Sequence, residues 1–370
     1  MDLQQLRDGI DSIDSEILGL FMKRMELCKD VAEYKRIHSL PVFQGGREQQ
    51  VIDRIKAQTG DSELENGTAA LFTTIMDIRK CLQNKKLLAG GGYDFSLPDF
   101  ENAARIGCQG TTGANSEAAA KMIFGDKPIS FYRSFEDVFR AVQSGELDYG
   151  VLPVHNSTAG SVDSTYDLMA KYSVYIVREV CVEINHCLAA AEDMPLSEVE
   201  CVYSHKQALA QCSDFLTGNS LRTSEYGNTA TAAAMVKEKG GKSAAICSVD
   251  CARKLGLHIL AEHVADCSLN RTRFVCIARD LQVDPASDSI ALMLRIPHTE
   301  GSLYRLLTRF YVNGMNLVRI ENRPIKDGSF DVMFYLDFSG KLTDPNVKAL
   351  MNDLAENLES FRCLGTYSSN

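Results

Sequence analysis

LQQLRDGIDSIDSEILGLFMKRMELCKDVAEY, residues 3–34, decides how the N-terminal part of this chain folds. Leu3, Leu6, Ile10, Ile13, Ile17, Leu20, Arg24, Leu27, Val31 and Tyr34 recur at alternating steps of three and four. That spacing predicts one helical face sustained for more than four heptads, the pattern of a packed seam. One member, Arg24, is charged, and a cation on a buried seam is costly unless an anion meets it. Two readings follow: a register-setting residue paired with a neighbouring Asp or Glu, or part of a pocket for a carboxylate ligand. Lys35 lies three turns beyond Arg24 on the same side, about 16 Å along the axis. Two long side chains can converge on one small ligand from there. Arg7 lies roughly 42 Å from Lys35 along a straight helix. It can serve the same pocket only from a partner chain packed antiparallel; otherwise it is a solvated surface charge.

Working outward, the helix is expected to stop near Ser39, ahead of Pro41. A second helix should start at Arg47-Glu48, after Gly45-Gly46. A third should run from about Ala69 to Leu87, with Leu71, Phe72, Ile75, Ile78 and Leu82 on one face and Gln83 at its edge. The 370 residues predict two or three domains. Residues 1–88 read as long helices, and residues 103–280 alternate short apolar runs with Ala-rich helical stretches, as an α/β domain does. Residues 288–370 read as strand, helix, strand, strand, helix, strand, a ferredoxin-like pattern. The joints are Gly90-Gly91-Gly92 with Pro98, and residues 283–289 with Pro285. The fold class expected is thus multidomain α and α/β.

Composition excludes several classes. Acidic residues outnumber basic ones, 49 to 39, for a net charge of −10, against broad nucleic-acid binding. No apolar run reaches the length of a membrane span. The first residues lack a basic start and an apolar core, so a cytoplasmic protein is expected. The 12 cysteines form no CxxC and read as reduced, mostly structural thiols. His258 and His263 are five apart, the wrong spacing for HExxH, and neither a metal nor a cofactor is expected.

Arg7, Arg24, Lys35, Arg47-Glu48 and Gln83, in this order and spacing, resemble the all-helical chorismate mutase domain over residues 1–88. The resemblance implies that Arg24 and a partner chain's Arg7 clamp the two carboxylates of chorismate, with Arg47 assisting electrostatically. Lys35 and Gln83 would hydrogen-bond the ether oxygen, and Glu48 would hold the ring hydroxyl. Such an intramolecular rearrangement needs no nucleophile, only a held conformer and stabilised charge. Gln44 and Arg79 depart from the family pattern, where Asp and Ser are usual, and both are candidate substrate contacts.

In the middle region, Gly107-Cys108-Gln109-Gly110-Thr111-Thr112-Gly113, Leu152 to Gly160, Tyr203 to Ala208, Asn228 to Ala234 and Asn270-Arg271-Thr272-Arg273-Phe274 are polar turns. Together they resemble the prephenate dehydratase domain, implying two α/β lobes around a cleft. Thr272 would donate to the departing hydroxyl, and Arg273 would pair with a substrate carboxylate. Ser116, Asn156 and Ser157 are further candidate contacts. His155 stands where Glu is usual, Asn115 where Tyr is usual, and Lys206 where Pro is usual. A retuned or impaired dehydratase, or one preferring arogenate, therefore stays open. Near the C-terminus, Gly301-Ser302-Leu303, Asn316-Leu317 and Glu321-Asn322-Arg323-Pro324 resemble the ACT domain, which implies phenylalanine as an effector bound by Gly301, Ser302, Leu303, Asn316, Leu317, Glu321 and Arg323. A homodimer or higher homo-oligomer is expected.

Overall fold

The computed structural model describes residues 2–38, 45–87, 93–267, 269–325 and 332–368; of Lys35 and Gln83 it describes the backbone only, and Gln44 lies outside the described residues. The chain divides into two compact units. The first comprises residues 1–92, 295–317 and 342–361, and the second residues 93–294, 318–341 and 362–370.

The first unit opens with α1 (Leu3–Ile37), an uninterrupted helix of 35 residues. It is followed by α2 (Gly45–Thr59) and α3 (Glu65–Leu87). The last begins four residues ahead of the apolar periodicity, because the backbone N–H groups of Leu64 and Glu65 both donate to the Asp61 carbonyl and start the turn early. Met25 of α1 and Ala69, Met76 and Cys81 of α3 are buried. The α1 seam is different from the buried stripe its period implied. Leu3, Leu6, Ile10, Ile13, Ile17, Leu20, Leu27 and Val31 are 46–66% exposed in the single chain.

In the second unit the first lobe runs β1 (Ile106–Gln109), α4 (Asn115–Phe124), β2 (Ile129–Tyr132), α5 (Phe135–Ser144), β3 (Tyr149–Asn156), β4 (Gly160–Ser161), α6 (Asp163–Lys171) and β5 (Tyr175–Glu183). The second lobe holds β6 (His186–Ala190), β7 (Cys201–Ser204), α7 (Lys206–Ala210), α8 (Ser213–Gly218), β8 (Thr223–Glu225), α9 (Thr229–Lys239), β9 (Ser243–Ser248), α10 (Val249–Lys254) and β10 (His258–Ala261). Its sheet has the order β10-β6-β9-β7-β8. β11 (Arg271–Ala278) then returns to the first lobe, antiparallel between β3 and β5. The chain thus crosses between lobes twice, at residues 184–185 and 262–270, and the cleft lies at those crossings. The lobes also meet beside the cleft. Gly113, at φ +86°, passes so close to α10 that a Cβ there would sit 2.7 Å from Cys251 Sγ. Lys254 of α10 reaches Glu117 of α4 at 3.2 Å.

The last elements are β12 (Ser289–Arg295), α11 (Ser302–Val312), β13 (Leu317–Pro324), β14 (Val332–Ser339), α12 (Pro345–Asn357) and β15 (Ser360–Tyr367). Their strands follow the order β13-β14-β12-β15 and join the first-lobe sheet through β15 and β5. Ala291, Met293, Tyr335, Leu364 and Tyr367 share one core with α5, β3 and β11. The two helices belong to the first unit, where Arg305 of α11 makes a bidentate pair with Asp77 of α3, both bonds 3.0 Å. Of the segment 288–370, residues 295–317 and 342–361 fall in the first unit and the rest in the second. The strand junction depends on Gly365, whose Cα faces Ile176 in register. A Cβ there would lie 2.0 Å from the Ile176 carbonyl oxygen, and its φ is +133°. Gly365→Ala is expected to destabilise the second unit by about 2–4 kcal/mol, because backbone must shift to admit the methyl group. The check is a lower urea midpoint followed by tyrosine fluorescence.

Candidate active site

The cleft between the lobes encloses about 390 Å³. It is lined on the first-lobe side by Gln109, Gly110, Ala114, Asn115, Ser116, Pro153, Asn156, Thr272 and Phe274, and on the other side by His186, His205, Gln207, Gln211, Asn228 and Thr229. Asn156 ends β3 and is fixed by its own turn. Its side-chain oxygen accepts from Thr158 N at 3.1 Å, Thr158 Oγ1 at 2.7 Å and Ala159 N at 2.9 Å. This is the local bonding that favours Asn at such turns. Its amide is thereby aimed across to β11, donating to Thr272 Oγ1 at 2.8 Å and Asn270 Oδ1 at 2.7 Å. Because Thr272 Oγ1 accepts from Asn156, its own O–H is free to donate into the cleft.

The network continues into the second lobe. Asn270 Nδ2 donates to Gln211 Oε1 at 3.0 Å, and Gln211 Nε2 donates to Thr158 Oγ1 at 2.6 Å. Gln211 Oε1 also lies 3.2 Å from His186 Nε2. With Gln211 offering an oxygen there, His186 carries its proton on Nε2. Burial holds the His186 pKa below the ordinary histidine value, against the opposing pull of the Gln211 bond. The imidazole is therefore neutral near pH 7. The start of α4 also faces the cleft through Ala114, Asn115 and Ser116. Ala114 supplies no side-chain cap, which suits the helix end to a carboxylate. Below it, burial raises the Glu117 carboxyl, but the Gly113 N–H at 2.6 Å and Lys254 outweigh that and hold its pKa below the usual carboxylate range.

Two candidate contacts read from the sequence fall elsewhere. Arg273 follows Thr272 on a strand, so its side chain takes the opposite face. There its Nε donates to Glu179 Oε1 at 2.7 Å, and it does not line the cleft. Ser157 is bound to backbone: its hydroxyl donates to Leu269 O at 3.1 Å and accepts from Arg271 N at 2.9 Å. His155, next to Asn156, also lies outside the cleft lining, whereas Asn115 and Ser116 are within it. Gln211, His186 and Asn270 carry much of the bonding. Only Asn270 falls inside a motif, and nothing in the local sequence marks Gln211 except its place one turn after Gln207.

In the first unit, Arg24 Nη1 and Arg79 Nε are buried with no hydrogen-bond partner among the described residues. Buried guanidinium nitrogens left open in this way call for an anion. Glu48 is held by Lys80 at 2.7 Å, and Lys80 also lies 3.5 Å from Asp77. Arg7 and Arg47 are exposed. Of the candidate effector residues, Gly301, Ser302, Leu303, Asn316 and Leu317 belong to the first unit, and Glu321 and Arg323 to the second. Gly301 caps α11 in a left-handed conformation, and the Ser302 hydroxyl bonds Thr299 at 2.8 Å. Arg323 is engaged by Asp163 at 2.6 Å and Asp167 at 3.5 Å, both on α6.

Residues 6–84 match the family profile of chorismate mutase type II, and residues 106–282 that of prephenate dehydratase. The bifunctional chorismate mutase/prephenate dehydratase of Aquifex aeolicus is 32% identical over 99% of this chain and 98% of its own length. The chain belongs to the bifunctional chorismate mutase/prephenate dehydratase family. An arogenate dehydratase/prephenate dehydratase of Arabidopsis thaliana is 34% identical over 74% of each chain. A prephenate dehydratase from Arthrobacter aurescens, solved in complex with L-Phe, is 28% identical, with a TM-score of 0.66 over 71% of this chain and 89% of that one. Within this family, the hydrogen bonds of Gln211 to both lobes make a specific demand. Gln211→Leu should lower kcat/KM for prephenate by about 10-fold or more, since it leaves Asn270 and Thr158 without their cross-lobe partner. Chorismate consumption by the same preparation should stay at the wild-type rate.

Proposed function

We propose that the chain converts chorismate to prephenate on its helical segment and prephenate to phenylpyruvate in the cleft, with phenylalanine as feedback inhibitor. In the second reaction the bond from the ring to its carboxylate breaks, and its electron pair enters the ring as carbon dioxide leaves. The C4 hydroxyl departs and is protonated to water. The carrying observation is the Asn156–Thr272 hydrogen bond, which leaves the Thr272 O–H as the donor to that departing hydroxyl. The assignment of substrate carboxylates moves from Arg273 to the N-terminus of α4 at Asn115 and Ser116, supported by their place in the cleft lining.

For the first reaction, the open nitrogens of Arg24 and Arg79 support carboxylate binding there. Arg7 is assigned to the same clamp from a second copy of the chain. The exposed apolar seam of α1 supports this, because so many large apolar side chains on one helix face need a cover. Lys35 and Gln83 are assigned to the ether oxygen, Arg47 to electrostatic support, Gln44 to a secondary substrate contact and Glu48 to the ring hydroxyl. The C-terminal segment is proposed to form an ACT-type regulatory module, with Gly301, Ser302, Leu303, Asn316 and Leu317 of the first unit as its phenylalanine contacts; Glu321, in the second unit, is left out of that assignment. Arg323 is set aside from that role by its pairing with α6.

The two chemistries separate by mutation. Arg24→Ala should reduce chorismate turnover by about 100-fold or more, with added prephenate still converted. Thr272→Ala should reduce phenylpyruvate formation by about 100-fold or more, with prephenate accumulating from chorismate. Phenylpyruvate formation at the wild-type rate in Thr272→Ala contradicts the assignment.

A further inference from the structure

On the face of the first-lobe sheet opposite the cleft, one carboxylate sits between two arginines. Glu179, on β5, has only 9% of its side chain exposed. Its Oε1 accepts from Arg273 Nε at 2.7 Å. Its Oε2 lies 3.5 Å from Arg319 Nη2 on β13. Arg319 is built into the C-terminal strands: its Nε lies 3.3 Å from Asp337 Oδ2 on β14, and Asp337 accepts from the Tyr367 hydroxyl on β15 at 2.8 Å. Its Nη1 reaches the Tyr166 hydroxyl of α6 at 3.2 Å. Arg273 is the residue after Thr272, on the same strand, where the register against β3 shifts between Arg273 and Phe274. A strand can move its outward residue only by moving its inward neighbours, so whatever holds Arg273 also holds Thr272.

We propose that Glu179 is a positioning residue for Thr272, and the point at which the C-terminal strands act on the dehydratase reaction through Arg319. This rests on the reading of the cleft as a dehydratase and of the C-terminal module as its phenylalanine sensor. The two arms are unequal. The Arg273 arm is a short hydrogen bond, whereas the Arg319 arm is an open ion pair at 3.5 Å, with Asp337 as an alternative anion on its other side. A small shift of β13 changes how Arg319 divides itself between Glu179 and Asp337. Glu179 then changes its hold on Arg273. One arginine shared between two carboxylates, its Nη2 toward Glu179 and its Nε toward Asp337, is a contact that a shift on either side can bias, as an allosteric coupling needs.

The test uses the full chain as wild type, R319Q, R319K and E179Q. Prephenate turnover is measured with and without phenylalanine, phenylalanine binding by calorimetry, and chorismate turnover as the check that the protein is folded. Without phenylalanine, R319Q should still convert prephenate, with KM within about 2-fold of wild type and kcat lowered less than in E179Q. It should still bind phenylalanine, yet need about 10-fold more of it for half-inhibition, within the usual range of coupling between sites. R319K should restore the response. E179Q should lose the response and also lower kcat about 5-fold or more with KM little changed, a split expected when the reacting donor is misplaced and binding is spared. R319Q inhibited like wild type overturns the proposal, as does a lost response that merely tracks lost phenylalanine binding. A wild type that turns over prephenate but ignores phenylalanine overturns both this coupling and the sensor reading. A wild type that leaves prephenate unchanged overturns the dehydratase reading itself, and this proposal with it.

Discussion

The apolar seam of α1 constrains the rest of the structure. A 35-residue helix whose long face carries Leu3, Leu6, Ile10, Ile13, Ile17, Leu20, Leu27 and Val31 cannot leave that face in water without large cost. Within the chain nothing described covers it. The same face carries Arg24, with one guanidinium nitrogen buried and open. A seam that requires a second helix, and a cation that requires an anion, are met together if two copies pack along α1 and enclose a dianion. In the proposed mutase reaction such a site would hold positive groups fixed in advance around a flexible doubly charged molecule.

The cleft works by a different device. Its described lining carries no Arg or Lys. Polarity comes from a chain of neutral groups, Thr272, Asn156, Asn270, Gln211 and His186, that ties both lobes together. Such a network is most useful in a site that must lower solvent access and hold one hydroxyl donor in a fixed direction. The charges lie instead on the reverse face of the sheet, at Glu179, Arg273, Arg319 and Asp337, where the C-terminal strands meet the first lobe.

What the sequence made legible follows from physical range. The period of α1 is local and long, so the helix and its exceptional Arg24 could be read directly. That the seam lies open in one chain could not, because a period defines a face and says nothing of its partner. Thr272 and Asn156 were readable from motifs, and both line the cleft. Arg273 and Ser157 lie outside the cleft lining: Arg273 because adjacent strand residues take opposite faces, Ser157 because its hydroxyl is taken up by the backbone of the returning crossover. Gln211 escaped notice because its partner Asn270 lies 59 residues away. The division of the C-terminal segment between two units was likewise invisible. Contacts such as Gly365 with Ile176 and Arg305 with Asp77 join parts of the chain far apart in sequence.

The central claim is that one mutase site is built from two chains, and subunit complementation tests it most directly. Arg7→Ala and Lys35→Ala chains are each expected to be inactive on chorismate alone. Co-expressed, they form mixed dimers in which one site receives both intact residues and the other neither, so about a quarter of wild-type activity should return when pairing is random. No recovery from mixed dimers that are shown to have formed, or full activity of either variant by itself, would contradict the account.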